Sequence, residues 1–448
     1  MNPVFHVSEE LKKEIIENRR ILHQNAEVGF ELPKTRAFVL AKLREYGYEP
    51  AELGGGVVCM AGSAPGPVFL LRADMDALPM REESGLPYAC PTGNCHSCGH
   101  DTHTAMLLGA ARLLKEHEAK LKGRVKLMFQ PAEELLSGAA AMVEAGILEH
   151  PRVNAAMGLH VLVGRETSKT GTIHYCRGTV NRSGDAVRIT VTGKDAHGST
   201  PHLGIDAISV AARIVLALEE LAAKEIPPYE DSVVLVGTIE GGTTCNTVAG
   251  SAVLEVSVRT PGHRQREFLK RRIKEIAEGI ASVYRAEAAV DYLYGMPPLV
   301  NHDAVLDCCL DSIRELLPPG CLFEEGNEGG SEDFTVVAER VPSAFLMVGA
   351  GDTKSGYEYS MHHPAMRLDE NALAIGTEIY VNCAVRFLEL HSQTDSVLAV
   401  SGLTLCFLIR FITVWDVRIP RQNSSAAGFS LSLRLMHQYS LSGQALWG

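Results

Sequence analysis

Nine consecutive positions, Cys95-His96-Ser97-Cys98-Gly99-His100-Asp101-Thr102-His103, hold two thiols, three imidazoles and a carboxylate. An apolar run at helical spacing follows directly: Met106, Leu107, Ala110, Leu113 and Leu114. The polar cluster is therefore predicted in a turn at a helix N-terminus. The helix dipole and free backbone N–H groups there favour a thiolate. Gly99 lets the backbone turn tightly, so that Cys98 and His100 reach one point. Thiolate and imidazole are ligands for zinc, manganese, cobalt or nickel. Cys95-x-x-Cys98 also fits a redox pair or half of a zinc ribbon, but no second Cys-x-x-Cys follows at ribbon spacing. So many metal-capable side chains in one turn are costly to bury without an ion, and a metal site is the reading adopted.

The whole chain has room for two or three domains: it has 448 residues, 46% hydrophobic and 21% charged. A net charge of -12 argues against nucleic acid and anionic membranes as partners. Eleven scattered cysteines, behind an opening that is not a basic-then-apolar leader, fit reduced thiols in a cytoplasmic protein.

In chain order, Ser8 caps a predicted helix over residues 9–24, and a second helix covers 33–46. Strands follow at 56–60 and 68–73, the second a continuous apolar run, as in a strand buried on both faces. It ends in Asp74 and Asp76, where ligands gather in an open parallel sheet. They are read as pointing to opposite faces, one of them toward the metal; a pair of turn-forming aspartates fits as well. Strand 124–129 ends in Glu133-Glu134, with a helix predicted over 137–149. Of two adjacent carboxylates, one can bind a metal while the other acts as general base; an exposed acidic turn is the plainer reading. His160 stands at a third strand end.

From residue 184 the texture changes. Strand 186–192, helix 205–223, strands 233–240 and 252–259, helix 265–284 and strand 288–293 give a β-α-β-β-α-β order, that of an inserted split βαβ sandwich. His197 and Asn246 fall in its predicted loops and Arg259 between its elements. Past residue 296 the α/β pattern returns, with strand 343–348, His362-His363-Pro364 and a helix over 370–391. The tail, 392–448, has no Lys or Glu and carries both tryptophans, Trp415 and Trp447. Its apolar run 397–415 is interrupted by Arg410; a membrane helix needs about 20 apolar residues, and the tail is read as an extension.

Eight motifs now stand in series: Arg20-Ile-Leu-His23, Arg72-Ala-Asp-Met-Asp-Ala-Leu-Pro79, Cys98-Gly-His-Asp101, Phe129-Gln-Pro-Ala-Glu-Glu134, Gly158-Leu-His160, Gly241-Gly242 with Asn246, Gly330-Ser-Glu-Asp-Phe334 and His362-His-Pro364. Over residues 8–391 this series resembles the metal-dependent amidohydrolases of the aminoacylase/carboxypeptidase superfamily, in the branch of hippurate hydrolase, N-acyl-amino-acid amidohydrolases and auxin-conjugate hydrolases. The resemblance implies an α/β catalytic domain, a mixed, mostly parallel sheet flanked by helices, from residues 1–183 and 296–391. A ferredoxin-like lid and dimerisation domain over 184–295 is inserted in it.

The resemblance also implies two divalent ions (zinc, manganese, cobalt or nickel), held by Cys98, His100, Glu134, His160 and His362. It casts Glu133 as general base and His197 as an oxyanion-stabilising histidine acting in the neighbouring subunit of a homodimer. Asn246 and Arg259 become candidates for the substrate carboxylate, and Asp76 for orienting a ligand. Asp195-Ala196 precede His197 where the family often has two glycines, and Ala26 replaces a frequent proline. The expected reaction is hydrolysis of an N-acyl amino acid. A dipeptidase or carboxypeptidase of the same superfamily, or a non-catalytic binding protein on the same scaffold, are the alternatives.

Overall fold

The computed structural model describes residues 4–326 and 330–412, with side chains up to residue 392. Eight strands form a mixed sheet in the order Ala51–Leu53, Gly56–Ala61, Arg124–Gln130, Val68–Asp74, Ala155–Leu162, Ser343–Gly349, Ile173–Tyr175, Leu322–Glu324. Val68–Asp74 runs parallel to Arg124–Gln130 on one side and to Ala155–Leu162 on the other, and Ala155–Leu162 is parallel to Ser343–Gly349. These central strands therefore end at one edge of the sheet.

Two cores cover the two faces. Along Val68–Asp74, Phe69 and Leu71 enter one core, Val68 and Leu70 the other, as a period of two requires. The first core takes in Glu9–Gln24, Pro33–Glu45, His100–Glu116, Asp303–Leu316 and Asn371–Ile412 as far as Leu388. The second takes in Gly138–Glu144 and Thr335–Ala338. This is the mixed, mostly parallel sheet flanked by helices that the sequence predicts. Ser8 caps its helix as expected, its Oγ accepting from the Leu11 N–H at 3.2 Å.

A separate antiparallel sheet runs in the order Val233–Gly241, Ser251–Arg259, Gly184–Thr192, Glu287–Met296. Helices Ala207–Glu225 and His263–Val283 share its core through residues such as Ile214, Leu218, Leu269 and Ile273. Val233–Gly241 is an edge strand, with Leu235 and Ile239 exposed.

Two predicted helices differ. The one expected over 137–149 stops at Glu144, because Gly146 takes a φ of +96°. The carbonyls beyond it are satisfied instead by the buried Lys126, whose Nζ donates to Ile147 O at 2.7 Å, Glu149 O at 2.8 Å and Pro151 O at 3.0 Å. The helix expected to end near 391 continues to Ile412, since neither Gly nor Pro interrupts it between Gly376 and Gly402. The apolar run 397–415, and the tail beyond it, lie outside the residues whose side chains are described. Among the described residues no helix is long and apolar enough to cross a membrane, and the cysteines among them are free thiols.

Candidate metal centre

His100 opens the helix His100–Glu116 behind Gly99, whose φ is +87°. A Cβ at Gly99 would sit 2.5 Å from Val161 Cγ2, so only glycine brings this turn against Ala155–Leu162. Cys98 is thereby delivered to His160, Sγ to Nε2 at 3.5 Å. His362 arrives from the far end of the chain with a φ of +65° and places Nε2 3.2 Å from the same sulfur and 3.5 Å from Glu134 Oε1. Cys98, His100 and His160 form one group with ligand atoms within 4.8 Å of one another, and Cys98, Glu134 and His362 form a second. All five predicted ligands thus converge, with the thiol common to both groups. His363 stacks on Tyr359 instead, ring centroids 4.2 Å apart.

The donors suit divalent cations. His160 Nδ1–H donates to Val161 O at 2.7 Å, which leaves Nε2 as a lone pair facing Cys98. Both ring nitrogens of His100 and Oε1 of Glu134 are buried without a hydrogen-bond partner, an arrangement that is costly unless a cation completes it. Burial, with His103 nearby, holds the His160 pKa well below its ordinary value, so its ring stays neutral. Burial also pushes the Cys98 thiol up despite His100; a bound cation reverses that and makes it a thiolate.

Glu133 is buried beside this group, Oε2 3.8 Å from His100 Nε2. Burial raises its pKa well above the usual carboxylate range, and Glu332 and Asp333 raise it further. A carboxylate so placed holds a proton more readily than an exposed one, as a group that accepts and returns a proton requires.

The predicted opposition of Asp74 and Asp76 needs correction. Residues two apart on a strand share a face, so a period of two gives Asp74 and Asp76 one direction rather than two, and the strand in any case stops at Asp74. Both carboxylates approach His100: Asp76 Oδ1 lies 3.4 Å from Nδ1 and Asp74 Oδ2 3.6 Å from Nε2. Asp76 also accepts from the N–H groups of Glu133 at 3.0 Å and Glu134 at 3.2 Å. It therefore supports three site residues at once.

Sequence reasoning assigned no role to the layer beneath. Arg72, fully buried, donates to Gln130 Oε1, Asp74 Oδ2 and Glu332 Oε1, each at 2.8 Å, and to Asp333 Oδ1 at 3.1 Å. His103 donates from Nδ1 to Asp74 Oδ1 at 2.6 Å and accepts the Val161 N–H on Nε2 at 2.9 Å. The available signal was Arg72 itself, a charge inside an apolar strand.

A cavity of about 470 Å³ opens above the cluster, lined by Cys98, Glu133, Glu134, His160 and His362 and, from the second sheet, by Arg259. Gly184 permits the approach of Arg259, since a Cβ there would meet Arg259 Nη1 at 3.2 Å. His197 and Asn246 do not line it. Both are exposed; His197 pairs with Thr247 in a two-residue ladder, Ala196–His197 against Thr247–Val248, with Asn246 just before it, so the loop expected at His197 is a short strand.

Residues 70–386 match Peptidase family M20/M25/M40. The chain belongs to this family. An N-acetyl-L-cysteine deacetylase of Bacillus subtilis (strain 168) is 35% identical over 388 residues, covering 86% of this chain and 90% of that protein. An IAA-amino acid hydrolase ILR1-like 2 of Arabidopsis thaliana is 35% identical over 405 residues, 88% of this chain and 89% of that one. Among solved structures, a Bacillus subtilis protein described as a dinuclear metal-binding peptidase of the M20 family superposes with a TM-score of 0.74 at 32% identity, covering 85% of this chain and 99% of that one. The chain is accordingly a metal-dependent amidohydrolase, as the serial motifs imply.

Proposed function

We propose that this M20 enzyme hydrolyses the amide bond of N-acyl amino acids, releasing a carboxylic acid and an amino acid. The observation that carries the proposal is the pairing, in one cavity, of Cys98, Glu134, His160, His362 and Glu133 with the cationic Arg259. A substrate carboxylate bound at Arg259 places its amide within reach of the cluster. Cys98, His100, Glu134, His160 and His362 would hold two divalent ions. Bound, the ions supply Lewis acidity toward the acyl carbonyl and the attacking water.

Glu133 takes the water proton on its carboxylate as the water oxygen bonds to the acyl carbon. It then delivers that proton to the amide nitrogen as the C–N bond breaks. Asp76 keeps Glu133 and Glu134 aligned through their backbone N–H groups. Residues 184–295 act as lid and dimerisation domain of a cytoplasmic homodimer. His197 accepts the Ser199 N–H on Nδ1 at 3.2 Å, so its proton lies on Nε2, free to stabilise the oxyanion in the neighbouring subunit, with Asn246 beside it for the substrate.

The test is a panel of N-acetyl amino acids, N-benzoylglycine and a dipeptide, given to metal-stripped protein with zinc, manganese, cobalt or nickel restored. Glu133→Gln should lose at least about a hundredfold in kcat, the scale of general base catalysis, while still binding metal. Dipeptide cleavage without N-acyl turnover would replace the proposal with a peptidase.

A further inference from the structure

Past Glu134 a second cavity of about 290 Å³ adjoins the first. It is lined by Glu134, Leu135, Leu136, Tyr294, Gly295 and Met296, and it shares Glu134, Leu136 and Tyr294 with the first. Its chemistry is the opposite of the Arg259 side: Glu134 apart, no lining residue is charged. Two irregularities build it. Leu136 holds a φ of +51°, a left-handed conformation that glycine adopts freely and leucine does not. The strand Glu287–Met296 changes register between Tyr292 and Tyr294, and such a bulge re-aims the side chain that follows it. Both deviations bring apolar surface to one place beside the metal ligands, where backbone strain tends to be functional.

The far end of this groove is open. Leu135 is 58% exposed and Tyr294 62% exposed. A pocket closed around a single ring would cover them; an open channel leaves them wet until a substrate lies across them. We infer that the groove takes the acyl group as a linear apolar chain, running from Glu134 between Leu135, Leu136 and Tyr294, and that these residues set a preference for long acyl chains over acetyl. This rests on the N-acyl amino acid reading above, with the substrate carboxylate at Arg259 and the acyl chain on the opposite side of the scissile amide.

The experiment compares kcat/KM for the N-acetyl, N-butanoyl, N-hexanoyl, N-octanoyl and N-benzoyl derivatives of one amino acid, using the full chain loaded with metal. Half-burial of each methylene corresponds to about a twofold gain, so octanoyl should exceed acetyl by on the order of tenfold or more, without a cut-off along the series. In Leu135→Ser and Leu136→Gly the octanoyl-to-acetyl ratio should fall toward one. Leu136→Gly relieves the backbone, so a lost ratio there is not a folding defect. A flat or falling series with turnover of the acetyl substrate overturns the groove assignment and leaves the reaction standing. A maximum at benzoyl with a fall at octanoyl overturns it in favour of a closed pocket. No turnover of any N-acyl substrate overturns the reaction, and the groove assignment with it.

Discussion

Arg72→Leu should be among the most damaging substitutions in the protein, although Arg72 touches no candidate metal ligand by hydrogen bond. Its guanidinium is fully buried and faces three carboxylates, Asp74, Glu332 and Asp333. Leucine fills part of the volume but leaves that acidic cluster in the interior. Breaking a buried ion pair from one side costs about 3–5 kcal/mol. The cluster has an escape, because it can bind a proton: burial, with Glu332 nearby, pushes Asp333 up to about 8 even with Arg72 present. That places the expected loss near the middle of the range, about 4 kcal/mol at neutral pH. Unfolding of the compact unit that ends at Asp395 carries an entropy of roughly 0.8 kcal/mol per kelvin, so the melting temperature should fall by about 5 °C. Calorimetry and urea titration of metal-free protein measure both. The mutant should recover part of its stability as the pH is lowered toward about 5, since protonation neutralises the stranded carboxylates, and Asp333→Asn in the mutant background should rescue it in the same way. A loss under about 1 kcal/mol, or a second substitution that adds its own cost, would refute the view that Arg72 neutralises the base of the site.

Three further outcomes follow from the buried polar groups. Burial alone would lower the His23 pKa, but Asp101, at 2.8 Å, and Glu82, at 3.0 Å, hold it above its ordinary value. Its ionic contribution is therefore complete below about pH 6.5 and is lost as the pH rises through the raised value; the gap in melting temperature between wild type and His23→Gln should narrow on going from about pH 6 to about pH 9, and a constant gap would contradict this. Lys126→Met should cost about 3 kcal/mol in urea titrations, because three carbonyls lose their donor; a neutral substitution would mean that water replaces the ammonium without penalty. Asp76→Asn keeps one acceptor but loses the charge beside His100, and metal affinity measured against a competing chelator should fall about 10–100-fold while the circular dichroism spectrum is retained; unchanged affinity would remove Asp76 from any role in orienting ligands.

Four of the candidate ligands stand at places that periodicity can locate, although the set of five comes from the family resemblance. Cys98 precedes and His100 opens a helix whose apolar spacing is plain, Glu134 follows the end of one apolar strand, and His160 stands two residues before the end of another. The choice of His362 over His363 comes from the resemblance; His362 lies beside Cys98, and His363 is turned onto Tyr359. The second sheet was legible for the same reason: alternation in 186–192 and 252–259 predicts strands that the structure extends by only a residue or two. Opposite faces for Asp74 and Asp76 do not follow from a period of two, which puts residues two apart on one face, and both carboxylates approach His100.

The layer under the metal centre has no period at all. Arg72 and Glu332 are 260 positions apart, and nothing in either local sequence specifies the other. What joins them is a physical requirement. A cluster of ligands for cations is made of groups that repel one another or resist burial until the cations arrive, and the fold must hold them in place beforehand. Arg72 offsets that cost from one side by neutralising Asp74, Glu332 and Asp333, and Asp76 does so from the other by tying down the backbone of Glu133 and Glu134. Glu133 lies between the two supports. Its proton affinity is raised first by burial and then by Glu332 and Asp333, which Arg72 only partly compensates, so the group that fixes the shape of the cluster also bears on the strength of the proposed base.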